Sequence, residues 1–427
     1  MPPTEPAASA PLHCRTDRCR VCESPVLEDI LDLGPQPPAN SLRRSLSDQL
    51  PRIPLQLAQC TACGAVQITE TVAPEFLFRN YVWVTGTART TRDFSVVFKD
   101  MLLSRTPARR LFVVEIASND GTFLAPFRDA GHRVLGVDPA LNIAAMAESR
   151  GIPTLPEFFG TDVARGIRSD HGPADCLIAR NVIPHVAGLH DVAQGMFELL
   201  APDGVGAIEF HYAGKMADEL QYDAIYHEHL CYFSLHTSAV LLRRHGLHPF
   251  DTAMSPISGG ALIVFFSKSR RPESSAMRAL RTCEKDSGLN GPARWRRFAR
   301  ECRAHRDRLR SLVPAMKPGN PPMIGYGASA RSATLLNFCG LTCEHIACIA
   351  DGNPLKHGAF APGSDIPIVP PEQAFEAGPG SVLLLAWNFR AELLDLIRSV
   401  HSFRGPVIVP LPGNPAILDE TARASER

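Results

Sequence analysis

Short apolar runs alternate with amphipathic stretches through the middle of the chain, and this alternation predicts strands and helices in turn. The runs contain few polar positions, as in parallel strands that helices cover on both faces. They are LFVVEI (111–116), RVLGVD (133–138), ADCLIAR (174–180) and VGAIEF (205–210). HPFDTAM and ALIVFFSK would complete a sheet of about seven strands. The predicted fold class is α/β, with a Rossmann-like sheet.

The same alternation begins again near residue 323, with MIGYG, HIACIADGN, SVLLLAWN and PVIVPLPG as strand-like segments. Before it, residues 275–316 have helical periodicity, with Trp295, Phe298 and Leu309 on one face and many arginines on the other. A chain of this length exceeds one core. We expect an N-terminal module (14–75), a central domain (76–270) and a C-terminal Rossmann-like α/β domain with a helical lead-in (271–427).

Composition narrows the classes of partner. The 427 residues carry 44 basic and 44 acidic side chains, and the formal charge is zero. A neutral chain has no electrostatic reason to bind nucleic acid or an anionic membrane. No apolar run is long enough to cross a bilayer, and the start, MPPTEPAASA, lacks the basic and apolar regions of a secretory signal. We therefore expect a cytoplasmic protein.

Two CxxC pairs predict a metal site near the start of the chain. Cys19 and Cys22 form the first pair, and Cys60 and Cys63 form the second. Each pair can present two thiolates to one ion from a tight turn, and two pairs complete a tetrahedral shell. Such a shell leaves no open position, so the expected Zn²⁺ is structural. The alternative is two unrelated pairs of reduced thiols.

The first central strand leads into a loop that predicts a cofactor site. Glu115-x-Ala117-x-Asn119-x-Gly121 occupies the place of E/D-x-G-x-G-x-G, where small residues let the backbone approach a ligand. Asp138 ends the next strand, where a carboxylate can bind both ribose hydroxyls. The expected cofactor-binding residues are Glu115, Ala117, Ser118, Asn119, Asp120, Gly121, Asp138, Pro139 and Asn181.

Taken alone, this loop fits a dinucleotide as well as a simpler nucleoside. However, the GxGxxG signature is missing, and Glu115 would repel a phosphate. The residues therefore favour a nucleoside without phosphate, of which S-adenosylmethionine is the obvious case. The strand–loop–helix order and the Pro-Asp-Gly turn before the fifth strand are also typical of a class I methyltransferase.

The stretch QYDAIYHEHLCYFSL, residues 221–235, combines aromatic rings with Tyr226, His227, Glu228 and His229. Imidazole is suited to moving protons at neutral pH, and a neighbouring carboxylate or phenol can orient it or share the proton. This stretch therefore predicts a catalytic centre. The alternatives are a zinc site, although HEH lacks the HExxH spacing, and a packed, hydrogen-bonded patch of the core.

Several motifs together resemble the S-adenosylmethionine-dependent C-methyltransferases that act on nucleotide-activated keto-deoxysugars in antibiotic and polysaccharide pathways. They are the paired CxxC knuckles, VVEIASNDGTFL, VLGVDPALNIA, ARNVIPHV and YDAIYHEHLCYFSL. The resemblance implies that His229 is the general base, with Tyr226, Glu228, His185 and Tyr81 as partners. It also implies a dTDP-linked ketosugar as substrate, a monomer or weak homo-oligomer, and a C-terminal domain that places Tyr326, Ser329 and Arg331 near the sugar nucleotide.

The chain departs from this family pattern at several positions. Ala117 replaces a usual Gly, Ser258 and Ile263 replace a His and an Arg, and GASARS replaces a Lys-Gly pattern at Arg331 and Ser332. Losing an Arg that can pair with a substrate group bears on substrate identity. Other functions therefore stay open: a methyltransferase that acts on oxygen or nitrogen, a C-methyltransferase with a non-sugar ketone as acceptor, an NAD-dependent oxidoreductase that uses the C-terminal domain, or a zinc-ribbon binding module.

Overall fold

The N-terminal module is made of short strands. The structure, a computed structural model, describes residues 12–78, 84–87, 89–316 and 321–419, and of Ser258 only the backbone. The strands of the module are β1 (His13–Arg15), β2 (Leu27–Asp32), β3 (Gln56–Cys60), β4 (Val66–Ile68) and β5 (Glu70–Val72). β1 and β5 pair with each other, and β2, β3 and β4 form an antiparallel meander.

The predicted central strands form one seven-stranded sheet. They are β6 (Phe112–Ile116), β7 (Arg133–Val137), β8 (Thr154–Leu155), β9 (Ala174–Arg180), β10 (Leu200–His211), β12 (His248–Ser255) and β13 (Ala261–Ser267), while β11 (Cys231–Tyr232) lies elsewhere. The order is β12-β13-β10-β9-β6-β7-β8, with β13 antiparallel to its neighbours. The strand order reverses at β6: β7 and β8 follow on one side of it, and β9 and β10 on the other. The carboxyl ends of β6, β7, β9 and β10, which are parallel, therefore meet at one crevice, the usual ligand site of such sheets.

Helices cover both faces of the central sheet, as the uninterrupted apolar strands require. They are α1 (Pro74–Phe78), α2 (Arg89–Leu103), α3 (Ala125–Asp129), α4 (Leu141–Ser149), α5 (Thr161–His171), α6 (Leu189–Leu199), α7 (Ala213–Asp218) and α8 (Leu235–Arg244). Single 3-10 turns occur at Thr85–Thr87, Ile183–His185, Tyr222–Ala224 and Ile257–Gly259. Among the described helices, none has the length and apolar character that crossing a bilayer requires.

The C-terminal domain is a second α/β unit, as predicted. Its strands are β14 (Met323–Tyr326), β15 (Ile349–Ala350), β16 (Ile368–Val369), β17 (Ser381–Leu384), β18 (Val407–Val409) and β19 (Ala416–Leu418), in the order β16-β15-β14-β17-β18-β19. Its helices are α9 (Ser275–Asp286), α10 (Pro292–Ala315), α11 (Ala330–Cys339), α12 (Pro371–Glu376) and α13 (Arg390–Asp395), which continues into a π-turn at Leu396–Val400, with 3-10 turns at Pro354–Lys356 and Trp387–Phe389.

The prediction of one continuous helix over residues 275–316 is wrong. The stretch forms two helices, α9 and α10, with a break at residues 287–291. Gly288 takes φ of 65° in this break, and Pro292 begins α10, where its missing N–H costs no helical hydrogen bond. The apolar face is as expected, since Trp295, Phe298 and Leu309 are buried.

One hydrophobic core runs through all three parts of the chain. It joins Leu57 and Ile68 of the N-terminal module to Phe210 in the central sheet and Leu336 in α11. The opposite face of the central sheet has a separate core that includes Phe98. The N-terminal and C-terminal parts therefore pack on the same side of the central domain.

Candidate active site

The cofactor loop after β6 has an uncommon backbone. Ala117, Asn119 and Gly121 have φ of 53°, 49° and 76°. This left-handed region costs a residue with a Cβ about 1–2 kcal/mol, so neighbouring groups must hold the loop. The Asn119 N–H donates to Asp138 Oδ2 at 2.8 Å, and the Thr85 N–H donates to Asn119 Oδ1 at 2.8 Å. The loop is thereby tied to the end of β7 and to the Thr85–Thr87 turn.

Glu115 lies on β6 directly before this loop. It is 2% exposed, and its Oε2 has no hydrogen-bond partner among the described residues. Burial raises its pKa to about 8, and the Arg180 guanidinium acts in the opposite direction. S-Adenosylmethionine carries an ammonium and a sulfonium, and a buried carboxylate without a partner gains most from such positive charge. The residue therefore fits this cofactor.

The remaining predicted cofactor residues surround the loop. Asp138 is buried, its Oδ1 accepts from the Ala140 N–H at 3.0 Å, and burial raises its pKa. Pro139 beside it is half-buried. Ser118 Oγ is buried without a partner among the described residues, and it occupies the space that a Cβ at Gly136 would need. Gly136 therefore lets the Ser118 side chain pack closely against the backbone of β7.

Asp120 and Asn181 hold backbone segments in the structure. Asp120 is fully buried, pairs with Arg150, and accepts from the Gly86 N–H at 3.1 Å. Asn181 follows β9 with φ of 50°, and its N–H donates to the Glu209 carbonyl at 2.7 Å. Both residues border the crevice, but their described bonds shape the loops around it.

Tyr226 and His229 form a hydrogen-bonded pair. Eight of the ten residues from Gln221 to Leu230 are buried, and only Tyr226 and His229 are partly exposed. Tyr226 Oη donates to His229 Nε2 at 2.7 Å, because His229 Nδ1 lies 2.8 Å from the Ala224 carbonyl and must carry the hydrogen. Burial lowers the pKa of His229 well below its usual value and raises that of Tyr226, so both groups are neutral.

His185 lies against this pair. Its ring centroid is 4.7 Å from that of His229, and Phe78 packs edge-on against its other side. Its Nδ1 is buried without a partner among the described residues, and burial lowers its pKa to about 4. Tyr81, predicted to join this group, lies outside the described residues, as does Trp83.

Glu228 and His227 point toward the N-terminal module. Asn40 Nδ2 donates to Glu228 Oε1 at 2.6 Å, across a separation of 188 residues. Burial raises the pKa of Glu228 to about 7, and the Asn40 bond opposes this. His227 Nε2 lies 3.2 Å from the Ile53 and Pro54 carbonyls. The Glu228 carboxylate therefore bonds to Asn40, while it is the Glu228 backbone that hydrogen-bonds to the His185 imidazole.

Arg331 in the C-terminal domain contacts residues 221–235, which are called the catalytic stretch below after their predicted role. Its Nη1 lies 3.7 Å from Asp223 Oδ2, and its Nη2 lies 3.3 Å from Gln221 Oε1. Trp387 Nε1 donates to Asp223 Oδ2 at 2.7 Å. The positive charge of Arg331 also helps to keep His229 neutral. Arg331 thus lies near the predicted catalytic group, and its contact with a sugar nucleotide stays a prediction.

The other two predicted substrate residues have different surroundings. Tyr326 is buried, and its ring packs near Phe375 and His401. Ser329 caps α11, since its Oγ accepts from the Ser332 N–H at 3.2 Å. The structure therefore brings Arg331 to the catalytic stretch. Tyr326 is buried at the end of β14, and Ser329 lies at the start of α11.

The four predicted metal ligands lie together. The Sγ atoms of Cys19 and Cys63, and those of Cys22 and Cys60, are 3.6 Å apart, and all four lie within 4.8 Å of one another. Such spacing fits four sulfurs around one Zn²⁺. Cys14 is exposed on β1 and outside this cluster. The closed sulfur shell gives the metal a structural role.

Ile263, at the position where the resemblance implies an Arg, lies beside a buried ion pair. Ile263 pairs with Glu209 across β13 and β10, and Arg180 pairs with Glu209 from β9 on the other side. The Arg180 and Glu209 side chains form an ion pair and are both buried. Arg180 thus supplies the positive charge beside Glu209 that Ile263 cannot.

Three residues of the site were missed from the sequence: Asn40, His211 and Asp223. Asn40 lies in the Pro-rich stretch of the N-terminal module and carries no local signal of its contact with Glu228. His211 ends β10 at the carboxyl edge of the sheet, a position where ligand-binding residues are common, and this signal was available. Asp223 lies within the predicted stretch and was not singled out.

Comparisons with known proteins agree with this architecture. A family model for a zinc binding domain matches residues 19–78, one for a methyltransferase domain matches 98–250, and one for a C-methyltransferase C-terminal domain matches 256–412. C-methyltransferase NovU from Streptomyces niveus is 34% identical over 404 residues, which cover 93% of this chain and 96% of NovU.

Two solved methyltransferases align with part of the chain. Magnesium protoporphyrin IX methyltransferase from Synechocystis PCC 6803 is 14% identical, covering 42% of this chain and 80% of that one, with a TM-score of 0.33. The 1,6-didemethyltoxoflavin-N1-methyltransferase from Burkholderia thailandensis is 18% identical, covering 42% and 78%, with a TM-score of 0.32.

The sheet order, the cofactor loop and the matched domains define a class I methyltransferase that uses S-adenosylmethionine and carries zinc on its four cysteines. The chain belongs to the C-methyltransferase family that includes NovU. It is therefore an enzyme that transfers methyl groups to carbon, and the oxidoreductase and zinc-ribbon alternatives fall away.

Proposed function

We propose that this enzyme methylates the carbon next to a ketone of a nucleotide-linked deoxysugar, with His229 as the general base. The observation that carries the proposal is the accessible Tyr226–His229 pair within an otherwise buried stretch. The Ala224 carbonyl fixes the hydrogen on Nδ1, so Nε2 is the nitrogen that can accept a proton.

One rotation of the Tyr226 hydroxyl would prepare the site for enolisation. When its hydrogen turns from His229 Nε2 to the ketone oxygen, the imidazole is freed and the developing enolate gains a donor. Burial raises the pKa of Tyr226, which keeps this hydrogen in place. His229 then takes the proton from the neighbouring carbon, leaving an electron pair shared between that carbon and the enolate oxygen.

S-Adenosylmethionine, when bound, supplies a methyl group on a positively charged sulfur, which the nucleophilic carbon takes with release of S-adenosylhomocysteine. Glu115 and Asp138 would hold this cofactor at the ends of β6 and β7.

The base assignment is tested with His229→Asn. We expect turnover to fall by about 10²–10⁴-fold, the usual contribution of a general base, with unchanged S-adenosylmethionine binding by calorimetry. In deuterium oxide with S-adenosylhomocysteine, wild type should exchange deuterium into the carbon next to the ketone, and the variant should not. His236→Asn, an exposed residue on α8, is the matched control. Near-normal exchange in His229→Asn would remove His229 from this role.

The sugar acceptor is supported by the resemblance of YDAIYHEHLCYFSL and ARNVIPHV to ketosugar enzymes and by full-length similarity to a C-methyltransferase. It is tested by mass spectrometry of products formed from a labelled methyl donor and a panel of nucleotide-linked ketosugars. Incorporation of label on a ring carbon supports the proposal. Incorporation only into non-sugar ketones, or only on oxygen or nitrogen, would contradict it.

A further inference from the structure

His211 has a fixed tautomer. It is the last residue of β10 and is 7% exposed. Its Nε2 lies 2.6 Å from Gln221 Oε1, and the Gln221 amide nitrogen donates to Glu219 at 2.6 Å and to the Gly259 carbonyl at 3.2 Å. Since the amide nitrogen is the donor, Gln221 Oε1 is an acceptor, and the short 2.6 Å contact assigns the hydrogen to His211 Nε2. Arg331 Nη2 lies farther from Nε2, at 3.3 Å, and can donate to Gln221 Oε1 at the same distance instead.

The other ring nitrogen of His211 is therefore a buried acceptor. Nδ1 has no hydrogen-bond partner among the described residues. Burial lowers the pKa of His211 to about 3, so the ring is neutral and Nδ1 keeps its lone pair. A buried acceptor without a donor is unfavourable, and a ligand that supplies a donor removes this penalty.

We propose that His211 binds the substrate that receives the methyl group, and that it selects a substrate carrying a hydroxyl group near the reacting carbon. The inference rests on the proposed function and specifies its substrate class. His211 lies at the carboxyl edge of the central sheet, and its Nε2 contacts Gln221, the first residue of the stretch that contains Tyr226 and His229. Arg331 also connects the two, since it lies near both His211 Nε2 and Asp223 of that stretch.

The neighbouring Arg331 decides which donor fits. Its Nη2 lies 3.3 Å from both Gln221 Oε1 and His211 Nε2. A hydroxyl can donate to His211 Nδ1 without adding charge, whereas an ammonium group would be repelled by the guanidinium. A deoxy carbon at this position would leave Nδ1 without a donor. The site therefore ranks a hydroxyl above both an amino group and a hydrogen.

The test compares nucleotide-linked ketosugars that carry a hydroxyl, a hydrogen or an amino group at each ring carbon beside the ketone in turn. For one position, wild type should prefer the hydroxyl by about tenfold or more in kcat/KM, as one hydrogen bond permits. In His211→Phe this preference should vanish, while His190→Phe, which alters a histidine on α6 paired with His245, should retain it. Full wild-type discrimination in His211→Phe would overturn the inference.

A second measurement does not depend on the variant folding. In ¹⁵N-histidine-labelled wild type, the Nδ1 resonance of His211 should move when the hydroxyl-bearing ketosugar binds and stay in place with its deoxy analogue. An unchanged resonance with both would overturn the inference alone. If wild type methylates no ketosugar on carbon, the proposed function fails, and the inference fails with it.

Discussion

Ala117 is in a backbone conformation that suits glycine better than alanine. Its φ is 53°, in the loop that leads to the cofactor crevice. The left-handed conformation costs an alanine about 1–2 kcal/mol, and a glycine would avoid this cost. Part of that gain in stability is lost because glycine makes the unfolded chain more flexible. The loop is therefore stable because Asn119 and its partners hold it, and not because of its own preference.

We expect Ala117→Gly to raise the free energy of unfolding by about 0.5–1 kcal/mol, because relief of the left-handed conformation exceeds the added chain entropy. Chemical denaturation without cofactor measures this change. Ala304→Gly, at an exposed position inside α10, is the opposite control and should lower stability by about 1 kcal/mol. Destabilisation by Ala117→Gly would show that the Ala117 methyl group packs usefully.

Glu115 should release a proton when the cofactor binds. Burial raises its pKa to about 8, so the free protein is mostly protonated there at neutral pH. Positive charge on the cofactor favours the carboxylate and lowers this pKa, so binding expels the proton. Calorimetry in two buffers of different ionisation enthalpy should give different binding heats for wild type and equal heats for Glu115→Gln. Equal heats for wild type would place the cofactor's charges away from Glu115.

At the scale of elements, the sequence predicted structure best where one physical rule acted alone. β6, β9 and β10 are buried on both faces, so their apolar composition alone identified them. The four cysteines were found because the ligand spacing of a zinc knuckle is local. The break between α9 and α10 was missed, although Gly288 and Pro292 signalled it, because the apolar periodicity continued across it.

Within the candidate site, residues that are close in sequence could be predicted, and contacts between distant parts of the chain could not. Tyr226 and His229 are neighbours in the sequence, so their residue types were enough to single them out. The contact between Asn40 and Glu228 depends on how the N-terminal module packs against the central domain, and no local pattern records it. The division into three domains with the boundaries given above stays a prediction.

The catalytic stretch is also part of the zinc module. β11, which follows His229, pairs with β4 and extends the four-stranded sheet β11-β4-β3-β2. The Ile68 N–H donates to the Leu230 carbonyl at 3.0 Å. Because structural zinc supplies folding free energy to such a module, the metal holds the strand that positions His229.

Removing zinc should therefore impair turnover more than cofactor binding. With a chelator, we expect turnover to fall by about tenfold or more, since small displacements of catalytic groups are costly. S-Adenosylmethionine affinity should stay within about twofold, because the cofactor loop is held by Asp138 and the Thr85–Thr87 turn. Hydrogen exchange should rise at Ile68. Cys22→Ser should reproduce these effects and Cys14→Ser should not; unchanged exchange would separate the metal from the catalytic strand.

At the scale of the whole molecule, the C-terminal domain holds the catalytic stretch through side-chain hydrogen bonds. Thr334 Oγ1 donates to the Ile225 carbonyl at 2.8 Å, Tyr222 Oη lies 2.9 Å from His305 Nδ1, and Trp387 Nε1 donates to Asp223 at 2.7 Å. All three bonds are made by residues that immediately precede Tyr226 in the chain. The continuous hydrophobic core explains why the contacts between the three parts could not be predicted, since they depend on how the parts pack together.

Trp387 offers a test of this support, with Trp295 as a matched control. Both are buried tryptophans, and Trp295 Nε1 donates to the Leu289 carbonyl at 2.8 Å, far from the catalytic stretch in sequence. Each Trp→Phe change removes one buried hydrogen bond and should lower the free energy of unfolding by about 1–3 kcal/mol.

Only Trp387→Phe removes a hydrogen bond from Asp223, so only this variant should lower kcat, by about ten- to hundredfold, without weakening S-adenosylmethionine binding. Steady-state kinetics and calorimetry on both variants measure the difference. Equal losses of kcat in the two variants would mean that activity follows general stability, and the C-terminal domain would then have no specific hold on the catalytic pair.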